Sequence, residues 1–515
     1  MTKAEVRELL DPSFKFLLML KNDPDILRYY LKCSIPKEIV PSVVSNKNQV
    51  VFKLLGVNNR FAETKLYREF LYDLMKSIYK RLKSGHVLVD GNYSTLCGNP
   101  IEMLQATIGQ FNGESQIGIG NVCSTRFPFG QTLLGSRSPH ITMSNVWLPE
   151  NCQNDMIARY MNSTNEIIYI NSIGENVLNK LSGCDFDSDC VMLTDNPILI
   201  KAARRNDGKF PIACGYVKAQ KHNRRYCAED IFDLDVKTSS NRIGEIVNLS
   251  QELNTKLWDI LNHGGKMAEI EAIYEDICKL NVLSNIEIDK AKREYCVDSV
   301  AELKRIRERH NCVELDGDNV RAIKPFFFAH ISRQKGYYNA KKKIYKKHRT
   351  TMDYLQTEIN RFKREHSQIK DPPNKPLSII INKEHYDYVK ANHYWSKAQK
   401  IIKLVADAWT QVKEMGCVEG LPTDIWMDRV AEIREDCIDR LSRYKINNDE
   451  AIYILNRLDS DSINFRQYML YVLFDPQVPF FYEVLNENHD GLSAVVEDAS
   501  GDIDIYGYKY KKVQI

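Results

Sequence analysis

Residues 181–193 read LSGCDFDSDCVML, and the three aspartates inside that stretch, Asp185, Asp187 and Asp189, decide how the rest of the chain is read. Side chains at i, i+2 and i+4 project to one side of an extended chain, because successive strand residues alternate faces. Three like charges held that closely repel. The arrangement is tolerable where water or a divalent cation neutralises it. Apolar Val191, Met192 and Leu193 follow at once and predict a buried strand, beside which a carboxylate triad without a use is costly. Hard oxygen donors in a small site suit Mg²⁺, with Mn²⁺ the alternative, and such a site keeps positions open to water and phosphate. An EF-hand loop also begins with alternating aspartates but needs glycine sixth and glutamate twelfth, where Cys190 and Asn196 stand. A solvated acidic turn is the plain alternative to a metal site.

Around this motif the texture of the sequence changes. From Gly85 to Pro197 glycine is frequent, helical periodicity fades, and short segments of strand character appear at His86–Val89, Ile117–Ile119, Glu166–Ile170 and Cys190–Leu193. Upstream, apolar residues recur at helical spacing, as in Phe70, Leu71, Leu74 and Met75. Beyond Asp233 the helical signal returns and lasts to about residue 460, with a break at Pro372, Pro373 and Pro376, since proline lacks an amide donor and constrains its predecessor. The chain ends IDIYGYKYKKVQI, an alternation that predicts a hairpin. The expected organisation is therefore α+β: a helical N-terminal region over 1–84, a β-rich domain over 85–200 and a basic connector over 201–235. A helical region over 236–371 and a helical C-terminal region over 372–515 complete it.

The 515 residues suffice for several domains, and 43% hydrophobic with 27% charged residues is the make-up of a globular protein rather than a disordered one. The longest apolar runs, such as Phe16–Leu20, fall far short of the roughly 18–20 residues that span a bilayer. The first residues, MTKAEVRELLDPSF, lack the apolar core of a secretory signal, so an intracellular protein with no membrane partner is expected. Thirteen cysteines, an odd number without a C-x-x-C pair, predict reduced thiols rather than a disulfide framework or a zinc ribbon.

The 71 basic and 68 acidic residues nearly cancel, so the local distribution of charge carries more than the total. Lys201, Arg204, Arg205, Lys209, Lys218, Lys221, Arg224 and Arg225 follow the β-rich block and are candidates for tracking a phosphate backbone. A second run, Lys341, Lys342, Lys343, Lys346, Lys347 and Arg349, reads as the solvated face of a later helix.

Gly183–Asp189 resembles the D-x-D-G-D signature of the double-psi β-barrel RNA polymerases. That superfamily includes multisubunit cellular enzymes, silencing-type RNA-dependent RNA polymerases and single-chain phage relatives. Further segments fall in the order this resemblance requires. Val87–Tyr93 with Gly98-Asn99-Pro100 is similar to the opening strands of the catalytic barrel, and Leu134–His140 to the R-x-P segment. Ser240–Asn248 resembles the helix that follows the barrel and faces the cleft, and Ile288–Lys292 is a fainter match. The likeness covers about residues 85–295.

The resemblance implies a β-rich double-psi barrel catalytic domain flanked by mainly helical domains. It implies a template-directed RNA polymerase in which Asp185, Asp187 and Asp189 hold Mg²⁺ and Arg137 contacts the incoming nucleoside triphosphate, a role suited to its planar, permanently charged fork. Lys218, Lys221, Arg224, Arg225, Asn241 and Arg242 are the candidate contacts to the nucleic-acid template and RNA product. Ile243, Ile246 and Val247 serve packing by their spacing. Two positions depart from the pattern. Ser188 occupies the usual glycine, so its backbone is either ordinary or strained, and Gly183 stands where multisubunit enzymes carry asparagine. Family members also have a second, lysine-bearing barrel, and the region before Gly85 reads as helical. A partner subunit or a further N-terminal portion is expected to supply it. The template can be DNA or RNA on this reading. Two other functions compete. A D-x-D glycosyltransferase requires a doubly wound α/β domain, and a non-catalytic nucleic-acid-binding polymerase subunit requires no metal.

Overall fold

In the computed structural model the described residues are 1–35, 43–215, 217–221, 223–238, 241–290, 293–316, 319–331, 343–366, 374–384, 386–416, 423–460 and 463–515. They divide into two compact units, one of Met1–Leu10 with Arg81–Arg361 and one of Asp11–Lys80 with Phe362–Ile515. Most of segment 1–84 and all of 372–515 thus share one unit, except that Met1–Leu10 and Arg81–Ser84 belong to the other, which holds the segments between them up to Arg361.

The β-rich block is a curled six-stranded sheet of β1 (Asn92–Cys97), β2 (Asn121–Cys123), β3 (Leu134–Ser136), β4 (Glu150–Asn151), β5 (Ile167–Ile170) and β6 (Cys190–Thr194), in the order β3-β6-β1-β5-β2-β4. β1 runs parallel to β5 and antiparallel to β6; β2 runs parallel to β4 and antiparallel to β5; β3 is antiparallel to β6. A mixed sheet in this order is not the parallel, doubly wound sheet that a glycosyltransferase would need.

The two outer strands are joined through their flanks. The amides of Leu133 and Gly135 donate to the carbonyls of Pro149 and Trp147 at 2.8 and 2.7 Å, and those of Trp147 and Asn151 donate back to Gly135 and Gln131 at 2.9 and 2.8 Å. Gly135 permits this approach, since a Cβ there would stand 2.9 Å from the Trp147 ring.

Alternation along the strands sorts the apolar residues into two clusters. Leu96, Val122, Ile168, Ile170, Val191 and Leu193 pack with Trp147 on one face. Cys123 and Tyr169 take the other face with Ile101 and Ile157, which come from helices Pro100–Thr107 and Asp155–Tyr160. Full burial of an aliphatic side chain of this size contributes about 1.5–3 kcal/mol, so the pattern of alternation fixes the register.

Two expected strands are corrected. His86–Val89 pairs with nothing as a strand and leaves Leu88 56% exposed; pairing starts at Asn92, where β5 and β6 flank the chain. Ile117–Ile119 is a bend that buries Ile117 and exposes Ile119.

After the sheet, helices Ile243–Asn262 and Met267–Asp289 pack along their length. Ile246, Leu249, Leu253 and Leu257, at the three- and four-residue spacing of one helix face, meet Ile270, Ile277 and Leu280. Helix Ser299–Arg309 adds Leu303 and Ile306 to the same core. The helical reading fails between this helix and helix Thr351–Glu365. Strands Val313–Asp316, Asn319–Pro325 and Lys343–Lys346 form a small sheet, so the second basic run lies partly on a strand parallel to Asn319–Pro325 rather than on a helix. Lys341 and Lys342 lie outside the described residues.

The second unit is mainly helical, as expected. Buried Asp475 joins its two sequence segments, accepting from the Asn46 amide at 2.8 Å and from Arg434 at 2.9 Å. The expected terminal hairpin is present, Ile503–Ile505 pairing antiparallel with Tyr508–Gln514, and Ser493–Glu497 adds a third strand on the other side of Tyr508–Gln514. Pro372 and Pro373 lie outside the described residues. Among the described residues, no helix is long and apolar enough to cross a membrane.

Candidate metal centre

The loop that carries the aspartates is fixed at both ends. At its start Ser182 and Gly183 take consecutive left-handed conformations, with φ of 62° and 66°. The Ser182 hydroxyl donates to the Pro139 carbonyl at 2.6 Å. A Cβ on Gly183 would stand 2.8 Å from the Asn285 side-chain nitrogen, on helix Met267–Asp289, so glycine is required both by conformation and by space. At the loop's end the Leu96 amide in β1 donates to the Asp189 carbonyl at 2.8 Å.

Between these anchors the chain turns rather than extends. The expected strand-like projection of the triad is therefore corrected, but its result is reached by another route. The Asp185 amide donates to Asp189 Oδ2 at 2.9 Å and the Asp187 amide to Asp185 Oδ1 at 3.3 Å, and one carboxylate oxygen from each aspartate lies within 4.8 Å of the others. Asp185 and Asp187 are exposed and Asp189 is half-buried, so the group is open to water and to a ligand.

Ser188, at the usual glycine position, has φ of 96°, a conformation that L side chains rarely adopt. Replacing it with glycine is expected to stabilise the first unit by about 1 kcal/mol, since the cost of a strained non-glycine residue is of order 1–3 kcal/mol and glycine returns part of it as entropy. A denaturant midpoint at or below that of the parent would refute the strain.

Arg137, just past β3, reaches the triad. Its Nη2 donates to Asp189 Oδ1 at 2.6 Å and its Nη1 to the Ser182 carbonyl at 3.2 Å. The side chains of the pair are 14% and 21% exposed, so the contact is less screened than a surface ion pair. Two of the five guanidinium donors are engaged in these bonds, and the fork retains others for a ligand. His140 follows in the same loop, its Nδ1 3.0 Å from the Ser136 hydroxyl.

The electrostatics fit a cation. Sharing a hydrogen bond with the Asp187 carboxyl raises the Asp185 pKa above its ordinary value, and desolvation and the nearby negative charges add to the rise. A bound cation would reverse that penalty. Burial pushes the Cys184 thiol up to about 12, so it stays protonated and leaves the ligand set all oxygen. Ligands sharing one octahedral Mg²⁺ at about 2.1 Å lie roughly 3–4 Å apart, so small side-chain rotations suffice to bring the three carboxylates onto one ion.

The other candidate residues are placed as follows. Lys218 and Lys221 are both exposed. Arg224 pairs with Asp233 at 2.8 Å and with Glu294, and Arg225 with Asp230 at 3.5 Å. Asn241 is exposed and lies one residue before the helix cap, its Oδ1 accepting from the Ile243 amide at 3.4 Å. Arg242 pairs with Glu245 at 2.9 Å, while its amide donates to buried Glu287 at 3.0 Å. Ser240, Ala291 and Lys292 lie outside the described residues. The contributions of Ser182, Asn285 and the Leu96 amide were not anticipated. They depend on contacts between segments far apart in the chain, which no local pattern announces.

No family model matches the chain, and no curated protein matches its sequence. Among solved structures it is similar to the RNA-dependent RNA polymerase QDE-1 from Thielavia terrestris, with 12% identity and a TM-score of 0.45 over 94% of this chain and 53% of that one. This chain therefore spans about half the length of that polymerase.

Proposed function

We propose that the unit holding the curled sheet is the catalytic part of a template-directed RNA polymerase, a nucleotidyltransferase that extends an RNA 3′-hydroxyl with nucleoside triphosphates and releases pyrophosphate. One observation carries the reading. Three carboxylates on a loop entering β6 converge to within 4.8 Å of one another beside an arginine from the end of β3, in the chain order that the polymerase-like segments require.

Asp185, Asp187 and Asp189 would hold Mg²⁺. When bound there with a second ion, it would lower the pKa of the attacking hydroxyl and offset charge on the leaving pyrophosphate. The chain's own residues do the positioning. Arg137 holds Asp189 in place through one arm of its fork and presents its remaining donors to the ribose or phosphates of the incoming nucleotide. Leu96 and Ser182 keep the two ends of the loop fixed, so that the carboxylates do not have to be ordered anew in each cycle. Lys218, Lys221, Asn241 and Arg242 are the proposed contacts to template and product, with Arg224, Arg225 and Arg242 engaging only by exchanging their present acidic partners.

The double-psi crossing of the strands belongs to the same reading, as does a second, lysine-bearing barrel on another chain or another part of a longer polypeptide. A triphosphate and two nucleic-acid strands bring more negative charge than Arg137 and one bound cation can offset.

The test supplies labelled nucleoside triphosphates, Mg²⁺ and single-stranded DNA or RNA, with and without candidate partner subunits. Templated product and released pyrophosphate are expected. Absence of both metal binding and synthesis under every combination would instead favour a non-catalytic subunit.

A further inference from the structure

A cleft in the first unit lies away from the carboxylates. β6 leaves the metal loop after Asp189 and ends at Thr194, and the six steps from Asp189 to Asp195 span about 20 Å at strand rise. At that far end Asn196 caps helix Pro197–Arg204, its Oδ1 accepting from the amides of Ile198 and Leu199 at 3.1 and 3.2 Å. Against this helix opens a cleft of about 660 Å³, lined by Lys201, Arg204 and Arg205 with Asp195 as its one acid.

The spacing i, i+3, i+4 places the three cations on one face of the helix and its end, with Cβ atoms about 5–6 Å apart. Two of them are held in place. Arg204 donates to the Thr132 hydroxyl at 2.8 Å, and Arg205 meets both oxygens of Glu5 at 2.5 and 2.8 Å, a pairing that holds the Glu5 carboxyl down to about 2. Lys201 is exposed. Pro197 and Ile200 give the same cleft an apolar wall.

We infer that this cleft is a remote binding site for single-stranded nucleic acid, taking the phosphodiester backbone on Lys201 and Arg204 and a ribose or base edge on the wall of Pro197 and Ile200. The inference rests on the polymerase reading for the choice of a strand as ligand. It adds a contact point about 20 Å from the chemistry. Cations set along a helical turn suit successive phosphates of a strand, whereas a free anion is better held by donors that converge on one point. Basic side chains in a last helical turn also offset the helix dipole, a role that affects stability and not binding.

The experiment uses the full chain with a chelator present and follows binding of a fluorescent single-stranded RNA by anisotropy across a salt series. Lys201→Glu is expected to weaken binding alike for every sequence and to lower the slope of log K against log salt by about 1. Lys201→Glu with Arg204→Glu is expected to lower it by about 2. Circular dichroism of each variant checks the fold. Lys201 is exposed, so the single variant tests the idea even if the double variant unfolds. Unchanged affinity and slope would overturn the site, as would a loss confined to tripolyphosphate with RNA binding intact. Because no metal and no turnover are involved, the two readings fail separately. RNA bound here by a chain that never synthesises counts against the polymerase, and synthesis with unaltered binding in the variants counts against the cleft.

Discussion

Asp187→Ala is expected to abolish nucleotide incorporation, by at least about a thousandfold, or roughly 4 kcal/mol of transition-state stabilisation at 1.36 kcal/mol per tenfold. The variant removes one of three oxygen ligands from a group that converges within 4.8 Å, and the remaining pair cannot hold a hard cation in the same place. The fold should survive, because the Asp187 side chain is exposed. Stability should even rise slightly at neutral pH. Asp185 has a raised pKa chiefly through its contact with the Asp187 carboxyl. Such a group destabilises the fold once pH exceeds its ordinary titration range, and removing its neighbour relieves that cost there and not at lower pH. Calorimetry should show weakened Mg²⁺ binding. Parent-like synthesis by this variant would dismiss the carboxylates as the catalytic site.

Asp276→Ala is expected to destabilise the first unit by about 3 kcal/mol, the lower end of the range for breaking a buried ion pair. Asp276 is fully buried in helix Met267–Asp289. It accepts from Arg309 and His310 at 2.9 Å each, from Lys279 at 3.3 Å and from Arg305 at 3.4 Å. Arg305, Arg309 and Lys279 are about two-fifths exposed and can turn to water, which is why the lower figure applies. Burial pushes the Asp276 pKa up, but the His310 hydrogen bond and the charges of Arg309 and Lys279 outweigh it and leave the pKa below its ordinary value. A depressed carboxylate stabilises the fold above the unfolded pKa, near 3.9, and loses that contribution as pH falls through the folded value. The gap between parent and variant in urea midpoint should hold from neutral pH to about 4 and close below it. A gap of under 1 kcal/mol at pH 7 would mean that the cations, not the acid, organise the cluster. The same helix carries Asn285, so the variant should also loosen the metal loop.

Legibility followed the range of the interactions. Asp185, Asp187 and Asp189 stood out because their spacing is local and electrostatically expensive, and β5 and β6 because continuous β-branched and apolar runs demand burial. The helices after Asp233 showed in the apolar spacing of Ile243, Ile246 and Val247, of which Ile246 is buried in the core. By contrast, His86–Val89 has strand composition without a neighbour to bond to, and composition cannot report a missing neighbour. The strand Lys343–Lys346 is paired through Asn319–Pro325, and its lysine-rich sequence shows no alternation to betray it. The torsion of Ser188 was open between two states until the turn was seen. Arg224 and Arg225 read as a charge run, while their acidic partners Asp230, Asp233 and Glu294 lie further along the chain.

The bonds between Leu133–Gly135 and Trp147–Pro149 bear on how other molecules can approach this sheet. A sheet edge is ordinarily a template onto which a foreign strand can zip, whether a peptide ligand or a second copy in an aggregate. Here the donors and acceptors along that side already serve one another. A partner meeting the domain on that side has to do so through side chains and loops, so its recognition will be written in residue identity and will be erased by single substitutions rather than tolerated by a generic backbone.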